Sequence, residues 1–381
     1  MKNFYPNQYK KDKEYRINHN YLTEQFSDCD VILSKIKEVV QNNDFTLGSC
    51  VDDVEKLISQ ESDSKFAIAV GSGTDALMLS LKTLGIKDGD EVITTTYTFY
   101  ATIGAIVTAG AKPVFCDCDE DYNINVNDIE HRITERTKAI MPVHWSGRPC
   151  NMDKLKDISI KYSIPIVEDA CHALQAEYKN KRCGGLGDLG CFSFHPLKNL
   201  NVWGDGGIIT TNNSEYSEKL KLIRNHGLIN RNTCVQFAYN SRLDTVQAVV
   251  AKHLILNKLD NITSTRIKNA KTYDELLKDI DDIKLTKRDG EIKEVFHLYS
   301  FRAKCRDELA DYLQQRGIDA KIHYPTPMHL QPASRDFNYK SGDFPIAESL
   351  CKETISLPVH EFITRDDINF VSELINDFYN K

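Results

Sequence analysis

The chain has 381 residues, 41% of them hydrophobic and 27% charged, with a formal net charge of -7. It is longer than one ordinary core requires and has a globular composition, and its acidic balance gives no electrostatic reason to bind nucleic acid or an anionic membrane. No apolar run reaches the roughly 18 residues of a membrane span, and "MKNFYPNQYKKDKEY" lacks the apolar core of a signal peptide, so a cytoplasmic location is expected.

From "KFAIAV" onward the chain alternates β-rich runs with helical periodicity. "TDALMLSLKTLG" repeats apolar residues at helical spacing, and "DEVITTT", "YATIGAIVTAG" and "KPVFCDCD" read as strand, helix and strand. "TKAIMPVH" is a strand before a helix through "NMDKLKDISIKYS". "PIVEDA", "LGCFSFH" and "GGIITTN" are three more strands, and "DTVQAVVAKHLILNKL" is a helix. Strands with so little polar alternation are buried on both faces, which predicts a mostly parallel sheet covered by helices. Ligands then bind at the carboxyl ends of the strands. Eleven cysteines are scattered without a C-x-x-C pair; Cys116 and Cys118 stand closer than zinc ligands usually do, so reduced thiols and no metal are expected.

Four strand-end loops carry chemistry. Gly71 to Thr74, in "AVGSGTDALMLS", form either a capped turn or a phosphate cradle at a helix N-terminus. Tyr97, Phe99 and Tyr100 can stack on a planar ring or fill a core. "IPIVEDACHALQA" delivers Glu168, Asp169 and His172 to a strand end, where a solvated acidic loop and a metal pair are the alternatives. Ser193, His195 and Lys198 follow "CFSF" in "GCFSFHPLKNLNVWGDGG". A lysine among aromatic residues and glycines is poorly solvated, loses its proton more readily and becomes a nucleophile. Together the loops supply what pyridoxal 5'-phosphate needs: a helix N-terminus for the phosphate, an aromatic face for the ring, a carboxylate for the ring nitrogen and a lysine for the aldehyde. Asp169 and Lys198 take the last two roles.

"VGSGTDALMLSLKTLG", "PVHWSGRPCNMDKL", "VEDACHAL", "FSFHPLKNLNVWGDGGIITTN", "RNHGL", "YNSRLDTVQA" and "IDAKIHYPTPMHLQPA" together resemble the DegT/DnrJ/EryC1/StrS family of sugar aminotransferases, over nearly the whole chain from about residue 30. The resemblance implies an α/β, fold type I transferase. It has a large domain (1–255, with an N-terminal arm of about 30 residues) built on a mostly parallel seven-stranded sheet, and a smaller α/β domain (256–381). It implies that Gly73, Thr74 and Ser193 bind the phosphate and Phe99 stacks on the ring. Asp169 pairs with the ring nitrogen, His172 approaches the ring hydroxyl, and Lys198 forms the aldimine. It also implies a homodimer with shared sites, Asn240 reaching the partner's cofactor phosphate. Dehydrating relatives carry histidine where this chain has Lys198, so transamination is expected, from L-glutamate to a nucleotide-linked 3-keto-6-deoxyhexose in ping-pong half-reactions. The alternatives are a 4-keto nucleotide sugar, a free or phosphorylated keto sugar, a keto-sugar dehydratase and a non-catalytic cofactor-binding regulator. Arg231, Lys321, His323, Tyr324 and His329 are the sugar-site candidates.

Overall fold

The computed structural model describes residues 15–380; the first half of the expected N-terminal arm and the last residue lie outside that range. Seven strands form the main sheet: β1 Phe66–Val70, β2 Glu91–Thr95, β3 Lys112–Cys116, β4 Thr137–Met141, β5 Val167–Asp169, β6 Leu189–Ser193 and β7 Gly207–Thr211. Their order is β1-β7-β6-β5 and β4-β2-β3, the two parts joined by parallel bridges Ile140 to Ile166 and Val143 to Asp169. Six strands share one direction, and β7 alone runs antiparallel, to both β1 and β6. No helix separates β6 from β7. Without a crossover the chain must turn back beside the strand it has left.

The strands alternate their side chains between two cores. Ala67 and Ala69 of β1 and Ile93 of β2 join one cluster with Val54, Ile58, Ala248 and Leu254. Ile68, Val70 and Val92 join the other with Leu77, Leu81 and Ile106. Helices Ser49–Glu61 and Thr245–Asn257 therefore cover one face, and Gly73–Thr83 and Tyr100–Thr108 the other. These covering layers explain why the strands read as continuous apolar runs.

A third core lies around an antiparallel sheet of β8 Ile283–Lys284, β9 Tyr299–Ala303 and β10 Thr354–Leu357. Helix Leu259–Leu277 links the cores, with Leu259 in the first and Ala270, Tyr273 and Leu277 in the third. Ile17 also belongs to the third core, its N–H bonded to the Gly317 carbonyl at 3.0 Å and its carbonyl accepting from Asp319 at 2.9 Å. The described part of the arm is thus fastened to the C-terminal region. Among the described residues no helix is long and apolar enough to cross a membrane.

Candidate active site

The carboxyl ends of β1, β2, β5 and β6 bring the expected residues together. At β1 the chain turns into helix Gly73–Thr83, capped by Ser72, whose hydroxyl accepts from Asp75 N at 3.1 Å. Thr74 is exposed in the first helical turn, where N–H groups have no partner within the helix and the dipole favours an anion. A Cβ at Gly73 would stand 2.6 Å from the Ser193 Cβ, so only glycine lets the end of β6 approach this helix terminus. Gly73, Thr74 and Ser193 therefore surround one place, a cradle of the kind a phosphate needs.

Strand alternation separates the two acids of β5. Glu168 is fully buried and accepts from Gly184 N at 2.9 Å, Leu186 N at 2.8 Å, Gly187 N at 2.6 Å and His144 Nε2 at 2.9 Å. His144 Nδ1 accepts from Cys150 N, so Nε2 carries the proton and donates. His144, Glu168 and Cys183 lie close enough to be considered as metal ligands. Yet both carboxylate oxygens and both imidazole nitrogens are occupied, which makes this a structural clasp. Cys116 and Cys118 are buried, with Cys118 Sγ 3.3 Å from the Thr95 hydroxyl.

Asp169 faces the site and is 5% exposed. Its Oδ2 accepts from Thr102 Oγ1 at 2.8 Å, and Thr102 Oγ1 lies 2.7 Å from Thr98 Oγ1. A carboxylate only accepts, so Thr102 spends its proton on Asp169 and Thr98 must donate to Thr102. Oδ1 has one long contact, from Cys171 N at 3.3 Å, and remains the available oxygen.

Lys198 lies in the loop after β6, its N–H bonded to the His195 carbonyl and its carbonyl accepting from Asn201 Nδ2. Burial lowers its pKa below the ordinary lysine value, against the opposing pull of Cys171 and Asp169. Such an amine is more readily available as a nucleophile. His172 Nδ1 accepts from Ser146 N at 3.2 Å, which leaves Nε2 protonated, and its ring packs, tilted, 4.2 Å from that of His297. Burial, with the Lys198 charge added, holds both imidazoles well below their usual pKa. They are neutral at pH 7 and add no positive charge beside the lysine.

Phe99 is 48% exposed, with its ring 6.0 Å from Tyr324, so an open aromatic face stands at the end of β2. The Tyr97 hydroxyl donates to the His323 carbonyl, and His323 Nδ1 lies 3.1 Å from Ser356 Oγ. Burial first, then Lys321 and Lys198, push His323 down to about 4.

Three sugar-site candidates are spent on other partners or stand exposed at the edge of this cluster or beyond it. His329 is 3% exposed and spends both ring nitrogens, on Thr96 Oγ1 at 2.8 Å and Glu348 Oε1 at 3.2 Å. Lys321 is exposed and paired with Asp319 at 2.7 Å. Arg231 is exposed at the turn of the hairpin Leu228–Asn230 and Thr233–Cys234. The Asn240 side chain is exposed, while the next residue, Ser241, donates to Asp75 Oδ2 at 2.8 Å and accepts from Gly71 N at 3.1 Å. Asn240 thus emerges beside its own chain's Gly71 turn. Thr102 and His297 were missed from sequence. The i, i+4 spacing of Thr98 and Thr102 was a usable signal, whereas nothing local marked His297.

The family model for the DegT/DnrJ/EryC1/StrS aminotransferase family matches residues 28–376. The chain belongs to that family. A pleiotropic regulatory protein of Geobacillus stearothermophilus is 40% identical over 362 residues, covering 94% of this chain and 97% of that protein. The dTDP-3-amino-3,4,6-trideoxy-alpha-D-glucose transaminase of Streptomyces venezuelae is 35% identical, covering 90% of each chain. The crystal structure of S. venezuelae DesV with a ketimine intermediate superimposes with a TM-score of 0.91 at 34% identity, covering 94% of this chain and 97% of that one. The fold is therefore that of the pyridoxal-phosphate sugar aminotransferases, and this chain is such an enzyme. The site's own features fit the cofactor: the glycine-only cradle, the free oxygen of Asp169 and the desolvated Lys198.

Proposed function

We propose that the enzyme moves the amino group of L-glutamate to the 3-keto group of a nucleotide-linked 6-deoxyhexose. The observation that carries the amine-transfer reading is the placement of desolvated Lys198 within the field of Asp169, a carboxylate whose charge is also felt at Tyr324 beside the exposed Phe99 ring. The choice of C3 is supported by the "WGDGG" loop and by a relative named for a 3-amino sugar.

The cofactor supplies an electron sink and carries the amino group between half-reactions. Gly73 and Thr74 would hold its phosphate with Ser193, and Phe99 would cover the ring. Asp169 Oδ1 would keep the ring nitrogen protonated while Thr102 occupies Oδ2. His172 would donate Nε2–H toward the ring hydroxyl. Lys198 would hold the aldehyde carbon until the donor displaces it, and its free Nζ would then take the proton from the donor's α-carbon. His323 and Tyr324 would line the side on which the sugar binds.

We infer further that two chains share their sites, Asn240 of each serving the other's phosphate. The exposed Asn240 side chain supports this, as do Ile229, Val235 and Phe237, which stand exposed on and beside the same hairpin. The division into domains near residue 255 is read from the change of core along helix Leu259–Leu277.

The test is product analysis with glutamate and a panel of 3-keto and 4-keto nucleotide sugars, free keto sugars and keto-sugar phosphates. An amino sugar from the 3-keto nucleotide substrate is expected. A dehydrated product, or amination at C4 alone, overturns the reading. Lys198→Ala should bind the cofactor and give no product, and full turnover in that variant would overturn the role of Lys198.

A further inference from the structure

Behind the Lys198 loop lies a small, partly open cavity of about 70 Å³ whose lining, His323 apart, has no part in the roles above. Leu197 forms part of its wall, and its polar lining is His19, Tyr21, Arg266, His297, His323 and His360. Three of these come from the arm and the long helix, so the site exists only where those elements meet. Several buried polar atoms here have no close hydrogen-bond partner: Arg266 Nε and Nη2, His19 Nδ1 and His297 Nδ1, while the Tyr21 hydroxyl lies near enough to Arg266 to interact with it.

Arg266 is 2% exposed, and its Nη1 donates to the carbonyls of Phe296 at 3.2 Å and His297 at 3.3 Å. Its remaining edge is loosely balanced by Glu361, with Oε2 3.7 Å from Nε, beyond hydrogen-bond reach. The other Glu361 oxygen is held by Gln25 Nε2 at 3.3 Å. A buried guanidinium with an open two-donor edge is costly, and a planar carboxylate is the group that satisfies it best. The neighbouring imidazoles do not compete as cations. Burial, with Arg266 adding to it, keeps His19 and His297 well below the usual range and His360 at about 4.

We propose that this cavity receives the carboxylate of the amino-acid donor farthest from its reacting carbon, on the Nε–Nη2 edge of Arg266, with the Tyr21 hydroxyl beside it. The proposal rests on glutamate as donor. A carboxylate on the reacting carbon itself would stay within the cofactor site, whereas this cavity is walled by Leu197, next to Lys198, and by His297, which packs on His172. A ping-pong site must accept a dicarboxylate and then a keto sugar that has no matching carboxylate. Glu361 balances Arg266 in the second case and yields to the donor in the first.

The probe is glutarate, which has both carboxylates and no amine, titrated by calorimetry into full-length, cofactor-loaded enzyme. Arg266→Gln should raise the glutarate Kd about tenfold or more, and Glu361→Gln, which removes the competing charge, should lower it. Cofactor absorbance and thermal midpoint report whether each variant is folded. An unchanged Kd in folded Arg266→Gln, or weaker or unchanged binding in Glu361→Gln, overturns the proposal. If Arg266→Gln does not fold, Glu361→Gln alone decides. If glutamate fails to convert the wild-type cofactor, the donor reading is lost, while glutarate still reports on the cavity.

Discussion

Asp169 and its neighbours show how few atoms set the chemistry. One oxygen is committed to Thr102, whose own acceptor position is filled by Thr98, so the other oxygen is presented in one orientation. Asp169→Asn keeps the shape but cannot hold a pyridine nitrogen protonated. The half-reaction with glutamate, the proposed donor, followed by rapid mixing, should slow by about 100-fold or more, with cofactor affinity falling far less. Thr102→Val deletes the donor and leaves Asp169 with only the 3.3 Å contact from Cys171 to orient it. That variant should lose about tenfold in the same step, the worth of one hydrogen bond to a charged group. Thr102→Ser should restore it, and no rescue would mean that the loss came from packing. Of these residues, Asp169 and Lys198 were legible in the sequence as strand-end carboxylate and loop lysine. The hydroxyl chain was not, because its meaning depends on a helix meeting a distant strand.

Within one element, β5, adjacent acids do opposite work. The period-two alternation sends Glu168 into a clasp of three backbone N–H groups and one imidazole, while Asp169 faces the site. Glu168→Gln sets an amide N–H against donors that need an acceptor, at a fully buried position. We expect a loss of about 3 kcal/mol of stability, read as a lower thermal midpoint of the cofactor-free protein. The surviving folded fraction should retain its cofactor absorbance, in contrast to a site residue. Normal stability would show that the loop Gly184–Gly187 holds itself. The sequence assigned Asp169 to the ring nitrogen but left Glu168 as solvated loop or metal ligand, since pattern alone does not tell which face of a strand has partners.

For the whole molecule, the testable feature is the proposed sharing of sites between two chains. On that proposal Lys198→Ala and Asn240→Asp are each inactive alone, and equal amounts of the two are mixed and allowed to exchange. Random reassortment makes half of the dimers mixed, each with one intact site, so about a quarter of wild-type activity should return. The Ser241 contacts to Asp75 and Gly71 keep Asn240 near its own chain's cradle, so the opposite outcome has a concrete meaning. If Asn240 serves its own site, every site carries a defect, and activity stays absent after demonstrated exchange.

The order of strands and helices in the first two thirds was legible because burial on both sheet faces leaves near-continuous apolar runs, broken by glycine-rich turns. The cofactor was legible because its four requirements fall at strand ends that the alternation itself predicts. Family membership rested on seven ordered motifs, any one of which is a common turn or loop. Tertiary structure decided the rest. It reversed β7, for want of a crossover helix, and gave Glu168 and Asp169 separate duties. It spent His329 on Thr96 and Glu348 although its motif suggested a sugar contact. It also gathered His19 of the arm, Arg266 of the long helix and His297 of a later loop around one cavity. Such groups carry no local signature, because a polar side chain acquires its role from the partners that burial provides or withholds, and those partners are set by packing between distant segments.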